Sequence, residues 1–272
     1  MKKTRVIVTG ATGRMGQAVI NGILDDPQCS LVGAVDIKGE GKDIGAVLGR
    51  GNLGIRIEQN LEKVIEDTLP DVMVDFTIAQ VAKTNIDTAI KFGVYSVVGT
   101  TGFNEKELEE IQGLSEDKGT GVFFAPNFAI GAVLMMQCAK EIIKYLPEAE
   151  IIELHHDQKL DSPSGTALRT AEIMALERGL NSNTAQGKEK KGMYEKVKGA
   201  RGGNHNGIPI HSIRLPGLVA HQEIIFGGLG QTLSIRHDSI DRNSFIPGVL
   251  LAIKEAPKRE GVVVGLENLM EM

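Results

Sequence analysis

The feature that most restricts the fold is an alternation running through the first 125 residues. Short apolar runs are each followed by a turn and then by a stretch of helical character. The runs fall at residues 5–8, 31–35, 72–76, 94–98 and 121–124, and the helical stretches at 15–24, 61–67, 79–92 and 104–118. Several runs are continuous rather than alternating, as in Val72-Met73-Val74, which is the pattern of strands covered on both faces. Strands alternating with helices predict an open, doubly wound parallel sheet of the Rossmann type, with helices on both faces. In such sheets ligands lie beyond the carboxyl ends of the strands.

The first strand end carries glycines at 10, 13 and 16. Gly10 permits a tight turn, Gly13 lets a pyrophosphate lie on the backbone, and Gly16 lets the helix pack closely on the strand. A glycine triplet alone is equally an ordinary turn. Here, however, a second strand ends at Asp36, twenty positions beyond Gly16, where a carboxylate can accept the ribose hydroxyls of NAD. Gly10, Ala11, Thr12, Gly13, Arg14, Met15 and Asp36 are therefore expected to hold a dinucleotide. Lys38 and Arg14 offset part of the repulsion of a 2′-phosphate, so NADH is expected and NADPH remains open. Gly99-Thr100-Thr101 and Ala125-Pro126-Asn127-Phe128 follow later strands and fall on the same edge; each is a plain turn or a second cofactor contact.

The second half changes character. A long helix is expected over 131–146, then a strand over 149–154 that runs into Glu153-Leu154-His155-His156-Asp157-Gln158-Lys159-Leu160-Asp161-Ser162-Pro163-Ser164-Gly165-Thr166-Ala167. Ser162 reads as the N-cap and Pro163 as the first residue of a following helix. The amides of Ser164, Gly165 and Thr166 then face outward at the positive end of the helix dipole, a carboxylate or phosphate site. Lys159 adds a cation, and His155 and His156 exchange protons near neutral pH. Adjacent residues of a strand point to opposite faces, so the two imidazoles are not expected in one core.

The segment 179–207 is rich in Gly, Asn and Lys and reads as a lid, a subunit contact or a solvated insertion. Strands at 208–215, 219–226 and 231–237, joined by short turns at Pro216-Gly217 and 227–230, favour antiparallel pairing. This predicts a second, α+β domain with an open mixed sheet. Asp241 is the expected N-cap of a helix through Ile253, and residues 261–264 form a last strand. The domain boundaries are placed at 1–129 with 240–272 for the dinucleotide-binding domain, and at 130–239 for a substrate-binding and oligomerisation domain.

Composition excludes some classes. The net charge of −5 gives no basic footprint for nucleic acid, and no Trp with three Tyr leaves few stacking platforms. The basic start is followed by too short an apolar run for a secretory leader, and no stretch approaches a membrane span. Cys29 and Cys138 fit no metal or redox spacing and read as thiols in a reducing cytoplasm; no metal is expected.

The Glu153–Ala167 motif, together with Gly10-x-x-Gly13-Arg14-Met15-Gly16, Gly99-Thr100-Thr101-Gly102 and Ala125-Pro126-Asn127-Phe128, resembles the 4-hydroxy-tetrahydrodipicolinate (dihydrodipicolinate) reductase family of bacterial and plant lysine biosynthesis. The resemblance spans nearly the whole chain. It implies reduction of a cyclic dicarboxylate to tetrahydrodipicolinate with NADH or NADPH, in a homotetramer built through the mixed sheets. It implies His155 as proton donor or acceptor, Lys159 as proton donor, and His156, Ser164, Gly165 and Thr166 as holders of substrate carboxylate. Ala129 stands where the family often has Ser, and Ile37 where some members carry a basic residue. Two other readings stay open: a two-domain reductase of another keto acid or aldehyde, and an NAD(H)-binding sensor without turnover.

Overall fold

In the computed structural model, residues 2–179 and 194–270 are described. The chain divides into two compact units, Met1–Ile130 with Arg242–Met272, and Gly131–Asp241.

The first unit opens with strand β1 (Thr4–Thr9), helix α1 (Arg14–Asp25) and strand β2 (Cys29–Val35). A short helix α2 (Ile44–Val47) and strand β3 (Ile57–Glu58) follow, in a stretch where periodicity signals nothing. The alternation then continues through α3 (Leu61–Thr68), β4 (Val72–Asp75), α4 (Ala79–Lys91), β5 (Tyr95–Val98), α5 (Glu105–Lys118) and β6 (Val122–Phe124). Local chemistry sets several boundaries. Asn104 caps α5 by accepting from the Glu107 amide, while the Glu107 carboxylate accepts from the Asn104 amide. Asn60 caps α3 by accepting from the Lys63 amide.

The second unit contains α6 (Ile130–Ile142), β7 (Glu148–His155), α7 (Gly165–Glu177), β8 (Gly203–His205), β9 (Ile208–Arg214), β10 (Ala220–Gly228) and β11 (Gln231–Ser239). The chain then returns to the first unit with α8 (Ile246–Glu255) and β12 (Val262–Val264).

The first sheet has the order β12-β6-β5-β4-β1-β2-β3, and its pairs are all parallel. Its strands are buried on both faces: Ile7, Met73, Val98 and Phe124 meet Ile86, Ile90 and Ile111 of α4 and α5, while α1 and α8 pack together and against β1. This is the doubly wound sheet that the alternation predicts. Because β2 and β4 lie on opposite sides of β1, the chain reverses its winding there, which opens a crevice at the carboxyl ends.

The second sheet is mixed, with the order β11-β10-β7-β9-β8. Its core face joins Ile151, Ile208, Ile210, Ile224 and Phe226 to Met135, Ala139 and Ile143 of α6 and Ala167, Ala171 and Met174 of α7.

Three expectations need correction. The turn at Pro216-Gly217 does not join an antiparallel pair: β7 lies between β9 and β10, parallel to the first and antiparallel to the second. The short link instead crosses the end of β7, where the Leu215 amide donates to the His155 carbonyl at 3.1 Å. Asp241 is not the cap of α8, since a 3-10 turn at Arg242–Phe245 intervenes. Pro247 explains this, because its missing N–H is tolerated only in a first helical turn. Finally, part of the segment 179–207 is strand β8, paired antiparallel with β9. The lid or subunit-contact reading of that segment falls largely on 180–193, outside the described residues.

Candidate active site

The carboxyl ends of β2, β1, β4, β5 and β6 lie along one edge of the parallel sheet, and four of the five carry predicted cofactor residues. At β1, Gly10 has φ +74°, and a Cβ there would stand 2.6 Å from the Phe76 carbonyl oxygen. Gly13 is the N-cap of α1 with no side chain to fill the position, and its amide donates to the Gly10 carbonyl at 3.0 Å. A Cβ on Gly16 would fall 2.1 Å from that same carbonyl oxygen. Gly16 therefore brings α1 against its own entry loop, rather than against the strand as expected. The first intrahelical bond runs from the Gln17 amide to the Gly13 carbonyl, so the amides of Arg14, Met15 and Gly16 head the helix with no acceptor inside it. This bare backbone at a helix N-terminus fits a pyrophosphate.

Asp36 follows β2 and is already engaged. Its carboxylate accepts from the Thr12 amide and hydroxyl, each at 2.8 Å, and from the Lys38 amide at 2.9 Å. The acid and the glycine loop are thus one preformed unit, with lone pairs left for ribose hydroxyls. Arg14 and Lys38 are exposed.

The side chains of Ala11, Thr100, Ala125 and Phe128 are buried, so these positions offer a ligand backbone rather than side chain. Gly99 abuts the Phe76 ring, which a Cβ would enter at 2.1 Å. Phe128 packs against Phe76 and Phe123, with ring centroids 5.8 and 6.1 Å apart. Pro126 and Thr101 are exposed, and Asn127 accepts from the Ala129 amide at 2.8 Å.

The residue that orders this edge was not foreseen. Asp75, fully buried at the end of β4, accepts from the hydroxyls of Thr9, Thr77 and Thr100, the Thr77 amide and the Asn85 side-chain amide, all at 2.6–3.0 Å. One carboxylate thereby ties the loops after β1, β4 and β5 together. An acid closing the apolar run Val72-Met73-Val74 was its visible signal.

In the second unit the site grows out of the core face of β7. Ala149 and Ile151 point into the core, and the period of two carries Glu153 and His155 onto the same face. Glu153 is buried, yet it is paired with Arg214 rather than left in apolar surroundings. Arg214 Nη1 and Nη2 donate to Glu153 Oε2 and Oε1 at 2.9 and 2.7 Å, and Glu153 Oε2 lies 2.5 Å from His155 Nδ1. Burial pushes the Glu153 carboxyl upward, but hydrogen bonds from His155, Arg214 and Ser212 outweigh it and hold the pKa at about 2. The strand ends at His155, and His156 lies exposed just beyond it.

The loop after β7 carries Lys159, whose ammonium donates to Asp161 at 2.7 Å. That contact lowers the Asp161 pKa and shares the cation expected to be wholly available to an anion. The helix start also differs from expectation. Ser164, not Ser162, is the N-cap of α7: its backbone is extended and its hydroxyl accepts from the Ala167 amide at 3.2 Å. Pro163 accordingly lies outside the helix. Gly165 and Thr166 become its first two residues, and a Cβ on Gly165 would meet nothing within 4 Å. The Ser164 hydroxyl keeps a donor hydrogen for a ligand. Gln222 of β10 fixes this end of the helix by donating to the Thr170 hydroxyl at 2.8 Å, which donates to the Thr166 carbonyl at 2.7 Å.

Glu153, Arg214 and Gln222 were not singled out from sequence. An acid in the otherwise apolar run ahead of the histidines was a usable signal for the first. The other two lie more than fifty residues downstream, and only the strand order brings them in.

The parallel sheet, its winding reversal and its glycine-lined strand ends define a Rossmann-type, nicotinamide-dependent oxidoreductase. The profile of the N-terminus of dihydrodipicolinate reductase matches residues 4–128, and that of its C-terminus matches residues 131–270. The chain belongs to the dihydrodipicolinate reductase family. It is 51% identical over 272 residues to the 4-hydroxy-tetrahydrodipicolinate reductase of Desulfitobacterium hafniense, covering 100% of both chains. It is 50% identical over 271 residues to that of Syntrophomonas wolfei, covering 99% of each. Among solved structures, dipicolinate-bound dihydrodipicolinate reductase from Paenisporosarcina sp. TG-14 matches with a TM-score of 0.86 at 40% identity, over 98% of this chain and 100% of that one. Amine dehydrogenase from Mycobacterium smegmatis matches with a TM-score of 0.67 at 14% identity, over 96% and 94% of the two chains, a likeness of fold alone.

Proposed function

We propose that this chain reduces 4-hydroxy-tetrahydrodipicolinate to tetrahydrodipicolinate with NADH or NADPH, in the diaminopimelate route to lysine. The observation that carries the reading is the end of β7: a histidine held by a buried carboxylate, followed within ten residues by a helix N-terminus whose first residue is a glycine with open space around it. A proton donor beside a carboxylate grip suits a small dicarboxylate, and the dipicolinate bound by the solved relative from Paenisporosarcina is a ligand of that class.

Bound reduced nicotinamide supplies the hydride; the chain supplies the rest. The amides of Arg14 and Met15 at the head of α1 receive the pyrophosphate, Gly10, Ala11, Thr12 and Gly13 shape the loop that lets it approach, and Asp36 accepts the ribose hydroxyls. Arg14 and Lys38 stand near enough in sequence to temper the acid toward a 2′-phosphate. Gly99, Thr100, Thr101 and Ala125, Pro126, Asn127, Phe128 present backbone on the nicotinamide side. In the second unit the amides of Gly165 and Thr166, the Ser164 hydroxyl and His156 grip substrate carboxylate. His155 and Lys159 deliver the proton and stabilise the negative charge that builds on the ring as it is reduced, worth about 10²–10⁴-fold for a placed proton donor.

The first unit is read as the dinucleotide-binding domain and the second as the domain for substrate and oligomerisation. A homotetramer built through the mixed sheet fits a face that alternates half-buried Ile152, Leu154 and Ile225 with charged neighbours. Two free cysteines accord with a cytoplasmic setting.

The test is a coupled assay in which the cyclic substrate is generated from pyruvate and aspartate semialdehyde and consumption of NADH and NADPH is followed. His155→Gln is expected to lower kcat, and Thr166→Ala to raise KM. An unchanged kcat in the first variant removes His155 from the chemistry, and failure of the parent protein to oxidise either cofactor removes the reaction.

A further inference from the structure

Three groups in the second unit form a linked chain that the proton transfer itself does not require. Glu153 uses both carboxylate oxygens on Arg214, and one of them also on His155 Nδ1. Arg214 Nη2 reaches further, donating to the Asp161 carbonyl at 2.9 Å. Asp161 in turn holds the Lys159 ammonium at 2.7 Å. A single guanidinium therefore bridges the strand that carries one proposed proton donor and the loop that carries the other. The pairing is set by register: Arg214 is the β9 partner of His155, and Gln222 the β10 partner of Glu153.

The ionised carboxylate only accepts hydrogen bonds. Whatever lies 2.5 Å from it on the imidazole must be an N–H. We propose that Glu153 and Arg214 are positioning residues: Glu153 fixes His155 as the Nδ1–H tautomer, leaving Nε2 as the atom that exchanges the proton, and Arg214 holds the Lys159 loop to the same frame through the Asp161 carbonyl. This rests on the reading of His155 as proton donor. A bidentate arginine suits the task because its planar fork fixes the carboxylate in direction as well as charge.

Glu153 on its own strand and Arg214 from β9 are the charged neighbours that the sheet sets beside His155, while β10 presents uncharged Ala220 and Gln222 on that face.

Two measurements test this. The first needs no change at Glu153: ¹⁵N NMR of the parent protein, with the His155 signals assigned by their loss in His155→Gln. The expected result is a neutral ring protonated on Nδ1 and bare on Nε2; the opposite tautomer overturns the proposal. The second is kinetic. Glu153→Gln is expected to lower kcat by about 10–10²-fold, a part of the 10²–10⁴-fold that a placed general acid contributes. NADH affinity is expected to stay unchanged. In a His155→Gln background the same substitution should cost nothing further in kcat. An equal loss in both backgrounds means Glu153 acts as a structural prop and overturns the proposal. Glu153→Gln with Arg214→Met removes the unpaired charge if the single variant folds poorly, and should show a kinetic loss at least as large, because it also frees the Lys159 loop; a smaller loss overturns the proposal. Failure of the parent protein to oxidise NADH would instead sink the proposed reaction, while the tautomer still decides this one.

Discussion

Gly16 and Gly113 allow one methyl group to be tested in two opposite settings. Both lie inside helices with ordinary helical backbone. On Gly113, exposed in α5, a Cβ meets no heavy atom within 4 Å. Alanine is about 1 kcal/mol better than glycine in a helix interior, so Gly113→Ala should raise the melting temperature by about 2–4 °C in a protein of this size. On Gly16 the same Cβ falls 2.1 Å from the Gly10 carbonyl oxygen, 2.9 Å from its carbon and 3.0 Å from Ala11 Cα. These are backbone atoms, so no rotamer relieves the clash. The loop must retreat by about 1 Å, at an overpacking cost of about 1–3 kcal/mol. A displacement of that size costs a binding geometry about 10²-fold. The expected outcome for Gly16→Ala is a folded protein that binds NADH about 10–10²-fold more weakly, read by nicotinamide fluorescence titration. The chain has no Trp to interfere. A folded Gly16→Ala protein with NADH affinity within twofold of the parent would refute the idea that packing of Gly16 on Gly10 shapes the cofactor loop.

Gly165→Ala should leave the melting temperature unchanged, since its Cβ has open space, yet raise the dicarboxylate KM by about 10-fold; an unchanged KM would place the carboxylate elsewhere. Asp75→Asn replaces an acceptor of several hydrogen bonds by a group that must also donate, which should lower stability by about 1–3 kcal/mol. NADH affinity should weaken with it, because three loops share that carboxylate; chemical denaturation and NADH titration report the two effects separately. Glu153 has a folded pKa depressed from 4.5 to about 2, so its contribution to stability is complete above pH 4.5 and is lost as pH falls from there toward 2. About 3 kcal/mol should disappear over that window. Denaturation of the parent protein and of Glu153→Gln across it should show a steeper slope in the parent, since other carboxylates such as Asp161 are also held below their ordinary range in both proteins, and equal slopes would argue against the assignment.

Much of the site is local and therefore legible in the chain. The glycines at 10, 13 and 16 announce a close backbone approach because no other residue allows it, and Asp36 follows from its distance along a strand–helix–strand unit. The motif from Glu153 to Thr166 is contiguous, so its proposed proton donors and its helix start could be read together. Even there two details were displaced. Ser164 took the cap from Ser162, since the choice depends on which backbone turns extended before the helix. Lys159 was drawn to Asp161, two residues away.

What the amino-acid order determined by itself was the class of each half: buried parallel strands where apolar runs are continuous, a mixed sheet where short turns replace helices, and an open helix start where a glycine heads α7. What only the tertiary structure decided was who meets whom across the sheets. Inserting β7 between β9 and β10 sets Arg214 against Glu153 and brings Gln222 to the end of α7, and the strand order of the first unit gathers Thr9, Thr77, Asn85 and Thr100 around Asp75. Periodicity specifies which face a side chain takes, because that is a local property of φ and ψ. It does not specify the neighbouring strand, which is chosen by burial and hydrogen bonding summed over the whole sheet.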